Sequence, residues 1–231
     1  MAPILVPTQS PEDWRRLLAK PDLHWKAGYS AMTLARSWEA AAGLPPEVRT
    51  VFDASESFRA IEPLLIIPEY KVPLPGGRRE SQTDVFVLAR RAAGLVAIAV
   101  EGKVDEAFGP TVAERQADSS AGVGERLRAI SECLGLSDVP GSIRYQLLHR
   151  TASAVLAARQ FYAPAAVMLV HSFSPTDRWF EDFSAFAGLF GAQPRIGELT
   201  TIGNCGDVSL SIGWCKGDQR FRAAVQDPIA Q

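Results

Sequence analysis

The chain has 231 residues, is 47% hydrophobic and carries a formal net charge of −2. That is enough apolar material for one sizeable core, and the composition excludes global disorder. Because 24 Lys and Arg are outnumbered by 26 Asp and Glu, the chain cannot grip nucleic acid through its net charge. Any phosphate-binding surface has to be local.

In chain order, Ser10-Pro11-Glu12-Asp13 reads as a helix start, with Pro at the first helical position and acids in the first turn. The short helix behind it is expected to turn Trp14, Leu17 and Leu18 inward. A second helix is predicted from about Ser30 to Ala42. Met32, Leu34, Ala35, Trp38 and Ala41 fall on one broad face, and Gly43 with Pro45-Pro46 ends it. Leu64 to Ile67 and Glu69 to Leu74 then read as strand, closed by the turn signal Pro75-Gly76-Gly77. Val85 to Ala89 and Leu95 to Val100 are apolar runs joined by a short Gly-containing loop, the pattern of a β-hairpin. Thr111 to Leu134 is expected to be mostly helical, interrupted near Gly122 and Gly124. Ile143 to Phe161, free of internal Gly and Pro, gives the clearest helix. Ala165 to Val170 reads as a buried strand, Trp179 to Phe190 as an amphipathic helix, and Val208 to Cys215 as a late edge strand. The result is a mixed α/β class, a sheet covered by helices, in a single domain over residues 1–231.

Cys133, Cys205 and Cys215 are odd in number and show neither a C-x-x-C nor zinc-ligand spacing, so they read as reduced thiols in a cytoplasmic protein. The opening MAPILVPTQSPEDW has no basic segment followed by a long apolar run and is not expected to be a signal peptide. The apolar stretch from Ala163 to Val170 is too short to span a bilayer, and no membrane partner is expected.

The hairpin register locates the chemistry. If the turn centres between Ala92 and Ala93, Asp84 faces Glu101 across the pair, and Lys103 projects to the same face as Glu101. Two facing carboxylates repel each other unless something compensates. A divalent cation would do so; carboxylate oxygens suit Mg²⁺ or Mn²⁺. A neighbouring Lys could orient the attacking water and offset charge on a phosphate. The competing reading is a surface salt-bridge cluster at a strand end.

The pattern Thr83-Asp84-Val85-Phe86-Val87 followed by Val100-Glu101-Gly102-Lys103 resembles the D…E-x-K signature of the PD-(D/E)XK nuclease superfamily. The resemblance covers roughly residues 30–173 and includes the element order helix, three-stranded antiparallel meander, helix, strand. Residues 174–231 would be a C-terminal helix and strand extension. It implies a restriction-endonuclease-like mixed central sheet flanked by helices, and a Mg²⁺- or Mn²⁺-dependent nuclease acting on nucleic acid, DNA more than RNA, with a homodimer as a candidate assembly because many such nucleases cut two strands as dimers. It implies metal binding by Asp84 and Glu101 and a water-assisting role for Lys103. Glu39, in Ser37-Trp38-Glu39, matches the extra metal ligand that members carry on the first core helix. Gln146, His149 and Arg150 are candidates for the auxiliary polar position on the later helix. The chain departs from the pattern in having Thr83 where Pro is usual and in an insertion over 104–141.

A second E-x-K, Glu69-Tyr70-Lys71 with Asp53 upstream, ranks lower, because Asp53 and the Ala-Ser-Glu-Ser after it read as a helix start. Arg78, Arg79, Arg90 and Arg91 sit at predicted turns, where solvation competes with phosphate contact. His149 and His171 lack paired metal-ligand spacing. The alternative function is a non-catalytic binding or scaffolding module that keeps the nuclease fold.

Overall fold

The computed structural model describes residues 7–76, 79–117 and 122–223; Gly77 and Arg78 of the predicted turn lie outside them. The N-terminal segment is built from helix α1 (Pro11–Arg15), held by a Ser10–Asp13 capping box, and α2 (Pro21–His24). Helix α3 (Ser30–Ala41) stops where Ala42 takes a φ of 46°, and α4 (Pro46–Asp53) begins with Pro at its first turn. Trp14 is buried as expected, but Leu17 is 38% exposed. Helix α1 ends before reaching it, so Leu17 leaves the inward face. Asp53 closes α4 instead of opening a helix, and its carboxylate accepts the Ala60 N–H at 2.9 Å.

Strands β1 (Glu62–Val72), β2 (Ser81–Arg91) and β3 (Gly94–Lys103) form the antiparallel meander. Helices α5 (Val112–Ala117) and α6 (Val123–Leu134) make up most of the predicted insertion. Helix α7 (Tyr145–Gln160) then crosses the sheet to β4 (Ala165–Ser172), which runs parallel to β3. Helix α8 (Phe180–Gly188), β5 (Leu199–Cys205) and β6 (Val208–Lys216) complete a six-stranded mixed sheet ordered β1-β2-β3-β4-β6-β5. The class is therefore mixed α/β, with helices on both sheet faces.

Strand alternation divides the interior in two. Phe86, Ala97, Ala99, Met168 and Ile212 face α6, α7 and α8 through Ile130, Leu147, Leu148 and Phe183. Val85, Val87, Ile98, Val100, Val167 and Leu169 face α3 and α4 through Leu34, Trp38, Val48 and Phe52. His171 belongs to the second layer, where its Nδ1 accepts from Trp38 Nε1 and its Nε2 donates to Glu47. All three cysteines are free thiols. Among the described residues, no helix is long and apolar enough to cross a membrane.

One strand assignment needs correction. β6 is an interior strand, flanked by β4 and by β5, and β5 forms the edge. β5 reads Leu-Thr-Thr-Ile-Gly-Asn-Cys, half-exposed and irregular at Gly203, so it lacks the alternation that marks a strand in sequence. Gly213 of β6 shows how closely this region packs. A Cβ there would lie 2.6 Å from Leu199 Cδ2 and 3.0 Å from Leu169 Cδ1. Gly213→Ala is expected to cost about 1–3 kcal/mol by overpacking, read as a lower urea midpoint at unchanged m-value.

Candidate active site

The meander pairs Arg91 with Gly94 and Val85 with Val100, the register expected from the sequence. One step further along, Asp84 lies opposite Glu101. On the other side, β1 pairs Pro68 with Val85 and Tyr70 with Thr83, which leaves Glu69 opposite Asp84. Three carboxylates thus stand side by side across β1, β2 and β3, at the strand ends where α7 passes over the sheet.

Glu69 reaches this place through an unusual backbone. Its φ is +53° inside a strand, a left-handed conformation that non-glycine residues adopt at some cost. The kink breaks the alternation of β1. Ile67 packs on the α7 side, and so do Tyr70 and Val72. Gln82 Nε2 then donates to Glu69 Oε2 at 2.8 Å.

Helix α7 supplies the opposite wall. Gln146 and Arg150, one turn apart, face the acids together. Lys103 Nζ donates to Glu101 Oε1 at 2.8 Å and to Gln146 Oε1 at 3.1 Å, and it lies 4.9 Å from the centre of the Phe108 ring. Gln146 Nε2 donates to the same Glu101 oxygen at 2.6 Å. Arg150 Nε donates to Glu101 Oε2, its Nη1 donates to Ser81 Oγ at 3.0 Å, and its Nη2 lies 3.8 Å from Asp84 Oδ1. Because Ser81 accepts from Arg150, its own hydroxyl proton goes to His149 Nδ1, 2.9 Å away, which leaves the imidazole proton on Nε2.

These neighbours push the three acids apart in pKa. Burial raises Asp84, the Glu101 charge raises it further, and Arg150, Lys103 and the Gly102 N–H only partly oppose them, so its carboxyl sits at about 7. Burial also works against ionising Glu101, but Lys103 and Arg150 together outweigh it and hold Glu101 at about 2. Burial, then the Asp84 charge, put Glu69 well above the usual carboxylate range. Burial, reinforced by Arg150, keeps His149 well below the usual imidazole value. Strongly separated acids in one cleft are the pattern expected of a site that manages protons or cations.

The cleft has a volume of about 630 Å³ and is lined by Glu69, Asp84, Glu101, Lys103, Gln146 and Arg150, among others. The expected residues Asp84, Glu101, Lys103, Gln146, His149 and Arg150 are therefore brought together. Glu39 is not. Its Oε1 accepts from Thr8 and from Trp14 Nε1, each at 2.6 Å, and it lines a separate hollow beside Arg36 and Phe221. Nor do Arg90 and Arg91 reach the cleft. Arg90 pairs with Glu62, and Arg91 donates to Ser57 O while lying over Phe58. Glu69, and not Glu39, lines the cleft with Asp84 and Glu101. The available signal was the second E-x-K, once its partner was sought in Asp84 instead of Asp53.

Among the described residues, no three acidic, imidazole or thiol groups close around a point as a metal cage. Mg²⁺ does not need such a cage, since one or two carboxylates, waters and a substrate phosphate commonly complete its shell. The free oxygens suit this. Glu101 spends both of its oxygens on Lys103, Gln146 and Arg150. Among the described residues, Asp84 keeps Oδ1, with only the distant Arg150 contact, and Glu69 keeps Oε1.

A domain of unknown function (DUF6946) matches residues 7–219, so the chain belongs to that family. No curated protein and no solved structure matches the chain.

Proposed function

We propose that this protein is a divalent-metal-dependent phosphodiesterase that hydrolyses nucleic acid, with DNA as the expected substrate. The observation that carries this reading is the row Glu69, Asp84 and Glu101 on adjacent strands, with the buried Lys103 beside it in a cleft. The order α3, meander, α7, β4 also supports the resemblance to the PD-(D/E)XK nucleases.

Asp84 and Glu69 would hold Mg²⁺ or Mn²⁺, because their mutual repulsion and free oxygens favour a cation between them. The ion would supply Lewis acidity toward the phosphate and lower the pKa of an attacking water. Glu101 fixes Lys103 and Arg150 in place. Lys103 orients the water and neutralises charge building on the phosphate, and Arg150 offers donors to a phosphate oxygen.

A second reading, a non-catalytic binding module on the same fold, is favoured by one observation. The Arg150 guanidinium already spans Asp84 and Glu101, standing where a cation would relieve them.

Calorimetric titration of Mn²⁺ separates the two. Wild type is expected to bind, and Glu69→Gln to bind at least ten-fold more weakly. Affinity should rise between pH 6 and pH 8 as Asp84, at about 7, loses its proton. In parallel, wild type should hydrolyse bis(p-nitrophenyl) phosphate with Mn²⁺. A protein that neither binds Mn²⁺ nor cleaves that diester belongs to the second reading.

A further inference from the structure

The cleft is a half-open hollow with largely apolar walls. About 630 Å³ lies within the roughly 300–1,000 Å³ that houses a drug-sized ligand, and an extended strand would need a channel. Leu23 and Tyr29, which are 53% and 46% exposed, line the cleft, as do the half-buried Tyr145 and the buried Phe108. The segment ahead of Leu23 is pinned to the acids. Gln82 Nε2 donates to Leu17 O at 3.0 Å and to Glu69 Oε2 at 2.8 Å, tying the segment between α1 and α2 to the rim of the site.

The charges lining the cleft are equally informative. Among the described residues lining it, Glu69, Asp84, Glu101 and Glu106 face Lys103 and Arg150, besides two histidines. A surface that tracks a run of phosphates needs a Lys or Arg for each, and this cleft has enough for one or two. The exposed Tyr29 ring beside a single phosphate position suits stacking on an unpaired base, which every base allows.

From this we infer that the cleft takes unpaired nucleotides: one phosphodiester with the base or two beside it, presented by a single strand or as a free dinucleotide, and not a duplex. The inference rests on the phosphodiesterase reading and narrows its substrate. Tyr29 is a stacking residue at the mouth.

The test compares the Mn²⁺-loaded protein on a labelled ten-residue oligothymidylate, the same strand in a blunt duplex, and the dinucleotide TpT. The single strand is expected to be cut at least ten-fold faster than the duplex. Cleavage of TpT as well assigns recognition to the free dinucleotide unit; cleavage of the strand alone assigns it to strand context. Both support the inference. Binding is read separately by anisotropy with a phosphorothioate strand in Ca²⁺. With one or two phosphates engaged, log K should fall against log salt with a slope of about −0.7 to −1.4. Tyr29→Ala should raise KM for the strand at least five-fold with kcat little changed, and Tyr29→Phe should restore it. Equal cutting and binding of the duplex, or a salt slope of several units, overturns the inference. If bis(p-nitrophenyl) phosphate is still hydrolysed, the phosphodiesterase reading stands. If that diester is untouched, the phosphodiesterase reading fails, and strand preference in the anisotropy assay still decides the pocket.

Discussion

Asp84→Asn is expected to abolish phosphodiester cleavage and to make the metal-free protein more stable at neutral pH. The loss of activity follows from removing the charge that would share a cation with Glu69. The gain in stability follows from the position of Asp84 beside Glu101 and Glu69 under α7. Burial and the Glu101 charge raise its carboxyl from 3.8 to about 7, so ionising it opposes folding. A folded-state pKa above the unfolded one means that stability is fully present below pH 3.8 and is lost progressively until the pH passes 7. The whole shift corresponds to at most about 4 kcal/mol. The Asp84 side chain is 22% exposed and lies near Arg150, which leaves about 2 kcal/mol as the expected gain. Asparagine is nearly the same size and can still accept the Gly102 N–H, which Asp84 Oδ2 holds at 2.8 Å. At pH 8 in EDTA, Tm should rise by about 4–8 °C, and the difference should vanish toward pH 4. A lower Tm in the variant would make the Asp84 carboxylate a structural partner of Arg150, which is the salt-bridge-cluster reading of these residues. A stabilised, inactive variant is the signature of a site kept strained for function.

The part of this architecture legible in the sequence was the part carried by periodicity. The apolar runs of β2 and β3 pointed to a hairpin; its register was an assumption, a turn centred between Ala92 and Ala93, and the observed pairing of Val85 with Val100 agrees with it, which sets Asp84 opposite Glu101. The unbroken stretch of α7 put Gln146 and Arg150 one turn apart on the face that meets them. Glu69 could not be found this way. Its entry into the cleft depends on a positive φ within β1, a tertiary effect invisible to alternation, and on β1 pairing with β2 in one register. Glu39 misled for the converse reason. Position along an amphipathic helix gives a face, and the choice between the cleft and the Trp14 side was made by where α1 packs. The edge strand β5 escaped because an edge needs only one paired side, and Thr-rich half-exposed residues leave no pattern.

Glu101→Gln should be the most destabilising single change in the site, in contrast to Asp84→Asn one strand away. Glu101 is 3% exposed and, among the described residues, is the acid in direct hydrogen-bonding contact with both buried cations, Lys103 and Arg150. Those cations hold its pKa at about 2, below the ordinary 4.5. With a depressed folded-state pKa, its contribution is present above pH 4.5 and lost as the pH falls toward 2. Removing the charge strands two buried cations, a change that typically costs about 3–5 kcal/mol. At pH 7 Tm should fall by about 10 °C, and the gap should close as the wild type is acidified. Adding Lys103→Met removes one stranded cation and places an apolar side chain against Phe108, so the double variant should recover part of the loss. A coupling energy of about 1–3 kcal/mol from the four-protein cycle would confirm the pair as interacting. Additive effects would show that Lys103 is neutralised elsewhere in the cleft. Placing one acid where ionisation is costly and its neighbour where ionisation is enforced gives these strand ends both a carboxylate that a cation would relieve and a fixed lysine. Hydrolysis of a phosphodiester at neutral pH calls for both.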